Sequence, residues 1–241
     1  MTALTKLSRN KAYDGHITKY SHNSAELACT MQLNVFLPKA ADHGKVPAIY
    51  CLAGLTCTED NFAQKAGALR EAAKHGLALI FPDTSPSAGF YLNATEPKWS
   101  KHYRMYSYIV DELPSILNAE LPITASALSP IVNPINCPWG QKALTGYLGN
   151  ADKEAWRQYD ATELLKDLDR DTKVNVLVDV GTADQFLERE LLIPNLRAAA
   201  EETGRTDQFT IRMQEGYDHS YFFVASVIED HVAHHAKHLK A

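Results

Sequence analysis

Three features predict a doubly wound α/β fold: a mostly parallel central sheet with helices on both faces. A helical pattern over 59–75 runs into a short apolar stretch at 77–81, which makes a β-α-β unit. From residue 174 onward the pattern alternates strand, helix, strand, helix. A length of 241 residues with 45% hydrophobic content suits one sizeable core, so residues 1–241 are expected to form a single domain.

The elements follow in order. The first fifty residues alternate apolar and polar side chains, as in 29–37 and 46–52, and read as strands, the early ones antiparallel. Gly76 closes the helix predicted over 59–75 and leads into the buried strand 77–81. Residues 106–121 carry a helical stripe with Pro114 inside it, which bends or shortens a helix. Residues 174–180 form a buried strand, 186–203 a helix with a kink at Pro194, 208–213 a strand and 221–239 the last helix. The stretch 85–149 breaks this rhythm, offering one helix and no parallel strand where a central strand belongs.

Composition narrows the function. A net charge of -5, a pI near 6.0 and the absence of a run of like charges leave no footprint for nucleic acid or an anionic membrane. No apolar run reaches the roughly 18 residues that a spanning helix needs. The cysteines, Cys29, Cys51, Cys57 and Cys137, form no C-x-x-C pair, and the N-terminus lacks a secretory signal, which predicts a reduced, cytoplasmic protein. A small-molecule substrate fits this profile.

Two residues carry chemistry. Asp184 follows the strand at 174–180 and His219 follows the strand at 208–213, so both belong at the carboxyl ends of strands, where catalytic groups of open α/β sheets gather. A carboxylate beside a histidine fixes its tautomer and stabilises it once protonated, as an alcohol nucleophile requires of its base. The plainer alternative is a helix-capping aspartate and a core histidine. Acid before base late in the chain is the α/β-hydrolase order, which calls for an upstream serine in G-x-S-x-G. None of the twelve serines has glycine two positions before it. Ser129 precedes Pro130, which forbids the helical turn that would present its hydroxyl.

Several blocks resemble the S-formylglutathione hydrolases, also called esterase D: Leu52-Ala-Gly-Leu-Thr-Cys-Thr-Glu-Asp-Asn-Phe, Phe81-Pro-Asp-Thr-Ser-Pro, Gly89-Phe-Tyr-Leu-Asn-Ala-Thr-Glu-Pro-Lys-Trp, Tyr103-Arg-Met-Tyr-Ser-Tyr, Pro130-Ile-Val-Asn-Pro-Ile-Asn-Cys-Pro-Trp-Gly, Gly146-Tyr-Leu-Gly and Glu215-Gly-Tyr-Asp-His-Ser-Tyr-Phe. The resemblance implies an α/β-hydrolase fold and serine thioesterase chemistry that releases glutathione and formate from S-formylglutathione, completing formaldehyde detoxification without cofactor or metal. It implies Asp184 as acid and His219 as base, and the Leu55 amide as half of an oxyanion hole. It places Cys57 near the active site as a sensitive thiol. A homodimer is the assembly it leaves open.

Two family segments are absent. Near 86–88 the family has a glycine-rich, tryptophan-containing loop, and between 124 and 129 it carries Gly-His-Ser-Met-Gly-Gly-His-Gly-Ala-Leu with its strand and following helix. The serine and the second oxyanion amide go with that segment. Losing a central strand unpairs neighbouring backbone groups, a loss set against a stability margin of only about 5–15 kcal/mol, so the chain is expected to fold poorly. Three readings follow: a hydrolase whose product here lacks the elbow, as a skipped exon or miscalled intron gives; a non-catalytic relative that partners a full-length hydrolase; or a hydrolase in which Cys57 attacks through His219. Finally, His231, His234, His235 and His238 share one face of the last helix, a spacing that admits a metal site but reads more simply as an exposed polar face.

Overall fold

The computed structural model describes residues 4–85, 90–117 and 125–240, and the chain gathers into two compact units, residues 1–122 with 228–241 and residues 123–227. The junction at 86–88 and the Thr124 end of the second junction lie outside the described residues.

The first unit is built on a five-stranded sheet of order β1-β2-β3-β5-β4, formed by β1 (Thr5–Ala12), β2 (Gly15–Ser24), β3 (Cys29–Leu37), β4 (Ala48–Tyr50) and β5 (Ala78–Pro82). β1, β2 and β3 pair antiparallel, as their alternation predicts, and β4 pairs parallel with β5. Tyr13, at φ 52, and Asp14 make the two-residue turn between β1 and β2. Only glycine fits at position 15, because a Cβ there would sit 2.1 Å from the Leu37 carbonyl oxygen. Met31, Leu33 and Val35 point to one side of β3 at the strand period and pack with Leu27, Ile80, Met105, Tyr108 and Leu113 into the core.

The helix predicted over 59–75 is two helices, α1 (Glu59–Lys65) and α2 (Leu69–Lys74). Thr58 opens α1 with a capping box closed by Asn61, and Gly67, at φ +77, stops the chain from continuing as one helix. The run predicted from 106 consists of α3 (Met105–Ser107), a wide π-turn over Tyr108–Glu112 and α4 (Leu113–Leu117). Pro114 has no N–H to offer, and the wider turn upstream lets the helix continue through it. The predicted end of this helix at 118–121 lies outside the described residues.

The second unit holds three parallel strands in order β6-β7-β8: β6 (Ala125–Leu128), β7 (Val176–Gly181) and β8 (Phe209–Gln214). β6 is a correction to the expectation that 85–149 holds no parallel strand. So is α5 (Pro138–Leu148), whose N-cap is Cys137, with its Sγ accepting the Gly140 N–H at 3.3 Å. After α6 (Glu154–Arg157), buried Asp160 caps α7 (Ala161–Asp167) by accepting the Glu163 N–H at 3.0 Å. The helix predicted over 186–203 divides into a π-turn, Leu187–Leu191, and α8 (Ile193–Glu202), with Leu192 between them at φ 54. Pro194 therefore lies in the first turn of a new helix, where its missing N–H costs nothing, and makes no kink. Val178, Val180, Leu191, Ile193, Leu196 and Ala199 form the centre of this unit's core. The last helix is α9 (Tyr221–Leu239); residues 221–227 count with the second unit and the remainder with the first.

Candidate active site

Asp184 and His219 meet because β7 and β8 stay in step beyond their ends. The parallel ladder runs from Val176↔Phe209 to Gly181↔Gln214, and the Thr182 N–H then donates to the Gln214 carbonyl at 2.9 Å. The Ala183 N–H reaches the Tyr217 carbonyl at 2.9 Å, and Thr182 Oγ1 accepts the Gly216 N–H at 2.9 Å. The two loops touch at Gly181, where an added Cβ would lie 2.0 Å from the Tyr217 carbonyl oxygen. A side chain at 181 would therefore force the Asp184 and His219 loops apart.

At their tips the imidazole and carboxylate pair directly, with His219 Nδ1 to Asp184 Oδ2 at 2.7 Å. The Asp184 carboxylate is fully buried and its other oxygen accepts the Phe186 N–H at 2.9 Å, whereas the His219 side chain keeps 38% of its surface exposed. Both carboxylate oxygens are thus engaged, the ring's rotation is fixed, and Nε2 is the nitrogen left to exchange protons. The capping reading of Asp184 is also true in part, since it receives an N–H two residues on, and the same carboxylate holds the His219 ring.

Phe186 is a site residue that the sequence did not single out. Its backbone N–H steadies the Asp184 carboxylate, and its ring packs edge-on against the His219 imidazole with centroids 5.1 Å apart. Trp139, at the start of α5, packs against the Phe186 ring with centroids 4.5 Å apart. An aromatic two residues after a candidate acid was the available signal.

Leu55 and Cys57 belong to the first unit, on the loop between β4 and α1. Leu55 is exposed, Thr56 takes φ 66, and the Cys57 N–H closes a turn onto the Gly54 carbonyl at 3.2 Å. Two hydroxyls brace this loop: Tyr91 donates to the Ala53 carbonyl, and Thr84 to the Cys57 carbonyl at 2.8 Å. Burial raises the Tyr91 phenol well above its ordinary pKa, so it stays a donor. Cys57 is a half-buried thiol, and no disulfide joins the four cysteines.

Ser129 follows β6 at φ 45, a left-handed conformation after a strand, but its Oγ is buried, with no hydrogen-bond partner among the described residues. The hydroxyl is not presented to a substrate, as Pro130 predicts. The histidine face of α9 corrects another expectation. His231 and His235 are buried rather than exposed, and burial pushes the His235 pKa down to about 4, helped by the neighbouring histidines. Among the described residues no group of three or more His, Cys, Asp or Glu is placed to hold a metal ion.

With this geometry established, known proteins supply a frame. The family model Esterase, described as putative esterase, matches residues 24–126 and again 123–234. The chain is 41% identical to the S-formylglutathione hydrolase of Mus musculus over 285 aligned positions, covering 99% of this chain and 100% of that one. It is 39% identical to the Arabidopsis thaliana S-formylglutathione hydrolase over 286 positions, covering 99% of each. The solved structure of an S-formylglutathione hydrolase from Agrobacterium tumefaciens superposes with a TM-score of 0.90 at 35% identity, covering 97% of this chain and 99% of that one. A fluorophosphonate-binding serine hydrolase of Staphylococcus aureus, FphF, shares the fold at a TM-score of 0.71 and 17% identity.

Proposed function

Because this chain belongs to the S-formylglutathione hydrolases of the Esterase family, we propose that the protein is a serine thioesterase that hydrolyses S-formylglutathione to glutathione and formate, and that the chain as written lacks the nucleophile segment of its working form. The observation that carries the chemical reading is the pairing of His219 Nδ1 with the buried Asp184 carboxylate at 2.7 Å, which leaves Nε2 to act as base.

The steps assign one proton path. Nε2 of His219 takes the proton of the serine hydroxyl as the serine oxygen bonds to the formyl carbon, and Asp184 stabilises the imidazolium. The Leu55 amide and the amide after the serine hold the developing oxyanion. The carbon–sulfur bond then breaks, His219 gives its proton to the departing thiolate, and glutathione leaves. Water, activated by His219, attacks the formyl ester; formate departs as the serine recovers its proton. No step calls for a metal.

Two observations support an internal gap. An alignment of 285 positions that spans the whole mouse relative against a chain of 241 residues leaves at least 44 positions of that relative without a counterpart here. The family model matches in two pieces that meet at 123–126, beside the place where the elbow segment is missing. No observation favours a non-catalytic partner, or Cys57 as the attacking group. Among the described residues no helix is long and apolar enough to cross a membrane, and a cytoplasmic setting agrees with four cysteines that form no disulfide.

The test is an S-formylglutathione hydrolysis assay on the chain as written and on a version with the Gly-His-Ser-Met-Gly-Gly elbow, its strand and its helix restored between 124 and 129. The restored protein is expected to turn over and to label with a fluorophosphonate, and the chain as written to do neither. Equal turnover by both, or none by the restored protein once it is shown to be folded, would overturn the proposal.

A further inference from the structure

A cavity of about 340 Å³ lies in the second unit, lined by Trp139, Lys142, Phe186, Arg189 and Glu190 together with Pro138 and Gln185. Its aromatic wall is the Trp139–Phe186 pair, and the Phe186 ring that faces it also packs against His219. The cavity therefore begins one ring away from the base that must protonate the leaving sulfur.

Its charges are specific. Glu190 is buried; one carboxylate oxygen accepts the Trp139 N–H at 2.9 Å and the other lies 3.7 Å from Arg189 Nε. One cation is thereby matched to one anion, and exposed Lys142 leaves the lining with a net charge of +1. A thiol tripeptide with two carboxylates and one ammonium carries the complementary net charge of -1. Its peptide planes suit the face of an indole ring, and a carboxylate end suits a lysine. The thiol half of the substrate needs a seat of this kind, since the formyl half is a single carbon.

We propose that this cavity binds the peptide body of the glutathionyl group, with Trp139 as its floor and Lys142 as the contact for a peptide carboxylate. The assignment rests on the substrate reading above. Lys142 is a specificity residue: it binds the leaving group and takes no part in proton transfer.

S-methylglutathione, a thioether that cannot be hydrolysed, is the probe. Titrated into the full chain and followed by NMR of the indole N–H groups, it is expected to shift the Trp139 signal saturably and to leave that of Trp99, in the first unit, in place. Lys142 is exposed, so K142A should stay folded, and it is expected to weaken binding about tenfold, as loss of one charge-assisted hydrogen bond does. The dimethyl ester of the probe should bind the K142A and unsubstituted proteins alike. The same titration on the elbow-restored chain, its serine replaced by alanine, covers the case of a chain too poorly folded to bind. An unmoved Trp139 signal in that folded protein, or an affinity indifferent to K142A, would overturn the assignment. If the restored enzyme cleaves S-formylglutathione with the same KM with or without K142A, the cavity assignment fails and the hydrolase reading stands. If it leaves that substrate untouched while probe binding still depends on Lys142, the reading fails and the cavity assignment stands.

Discussion

His219 in the second unit and His235 in the first are opposite uses of one side chain. His219 sits on a loop, partly exposed, with its Nδ1 held by a buried carboxylate. His235 lies buried inside a helix beside other histidines, and burial pushes its pKa down to about 4. The sequence draws attention to the second place, where four histidines share a face, yet the proposed chemistry belongs to the first. What separates them is exposure: the His219 ring is partly open and bonded to a buried carboxylate, whereas burial and the neighbouring histidines disfavour the charged form of His235.

The largest effect that sharpens this contrast is catalytic. In the elbow-restored enzyme, H219A and D184N should each lower kcat/KM by about 10⁴-fold, whereas H235L should stay within about twofold. A comparable loss in H235L would erase the distinction. Next comes pH. The His235 pKa falls from its ordinary 6.5 to about 4 in the folded protein, so the unfolded chain binds the proton first. Its contribution is complete above about pH 6.5 and is lost as pH falls towards 4, about 3 kcal/mol in all. Urea midpoints measured across that range should drop for the unsubstituted protein and flatten for H235L; parallel curves would contradict the burial argument.

G181A acts on the other histidine through packing. Its Cβ meets the Tyr217 carbonyl, so a cost of about 1–3 kcal/mol is expected, together with loss of the downfield Nδ1 proton signal of His219. A variant that kept that signal would show that the loops are not held by close approach. The smallest effect concerns the part proposed for the Leu55 loop. Y91F removes the hydroxyl that braces the Ala53 carbonyl, and in the restored enzyme it should lower kcat by about fivefold, near 1 kcal/mol, with KM unchanged. An unchanged kcat would remove Tyr91 from the account of the oxyanion loop.

Much of this was legible in the chain. The alternation in β2 and β3 and the apolar runs of β5 and β7 carried the strands, because burial on one or both faces leaves a pattern. β6 was missed because Ala125-Ser-Ala-Leu is four residues long and half-exposed, with no β-branched residue. α5 was missed because its cap is a cysteine and its opening turn holds Pro138 and Gly140, which read as loop. Gly140 is there for close approach, since a Cβ would lie 2.0 Å from the Pro134 carbonyl oxygen. The meeting of Asp184 with His219 was readable from their places after strands. Phe186 left only the weak signal of an aromatic two residues after Asp184, and Trp139 left none, because their contact is made by packing between segments far apart in sequence.

The claim at the centre of this account is that the working protein carries a nucleophile elbow which this chain omits. Sequencing cDNA from the source across residues 85–88 and 124–129 tests it directly. The account predicts that the second junction contains codons for Gly-His-Ser-Met-Gly-Gly with its strand and helix, and the first a glycine-rich loop. Transcripts that read without interruption from Thr124 to Ser129, with no longer form present, would contradict it and leave a chain with an acid and a base but no nucleophile.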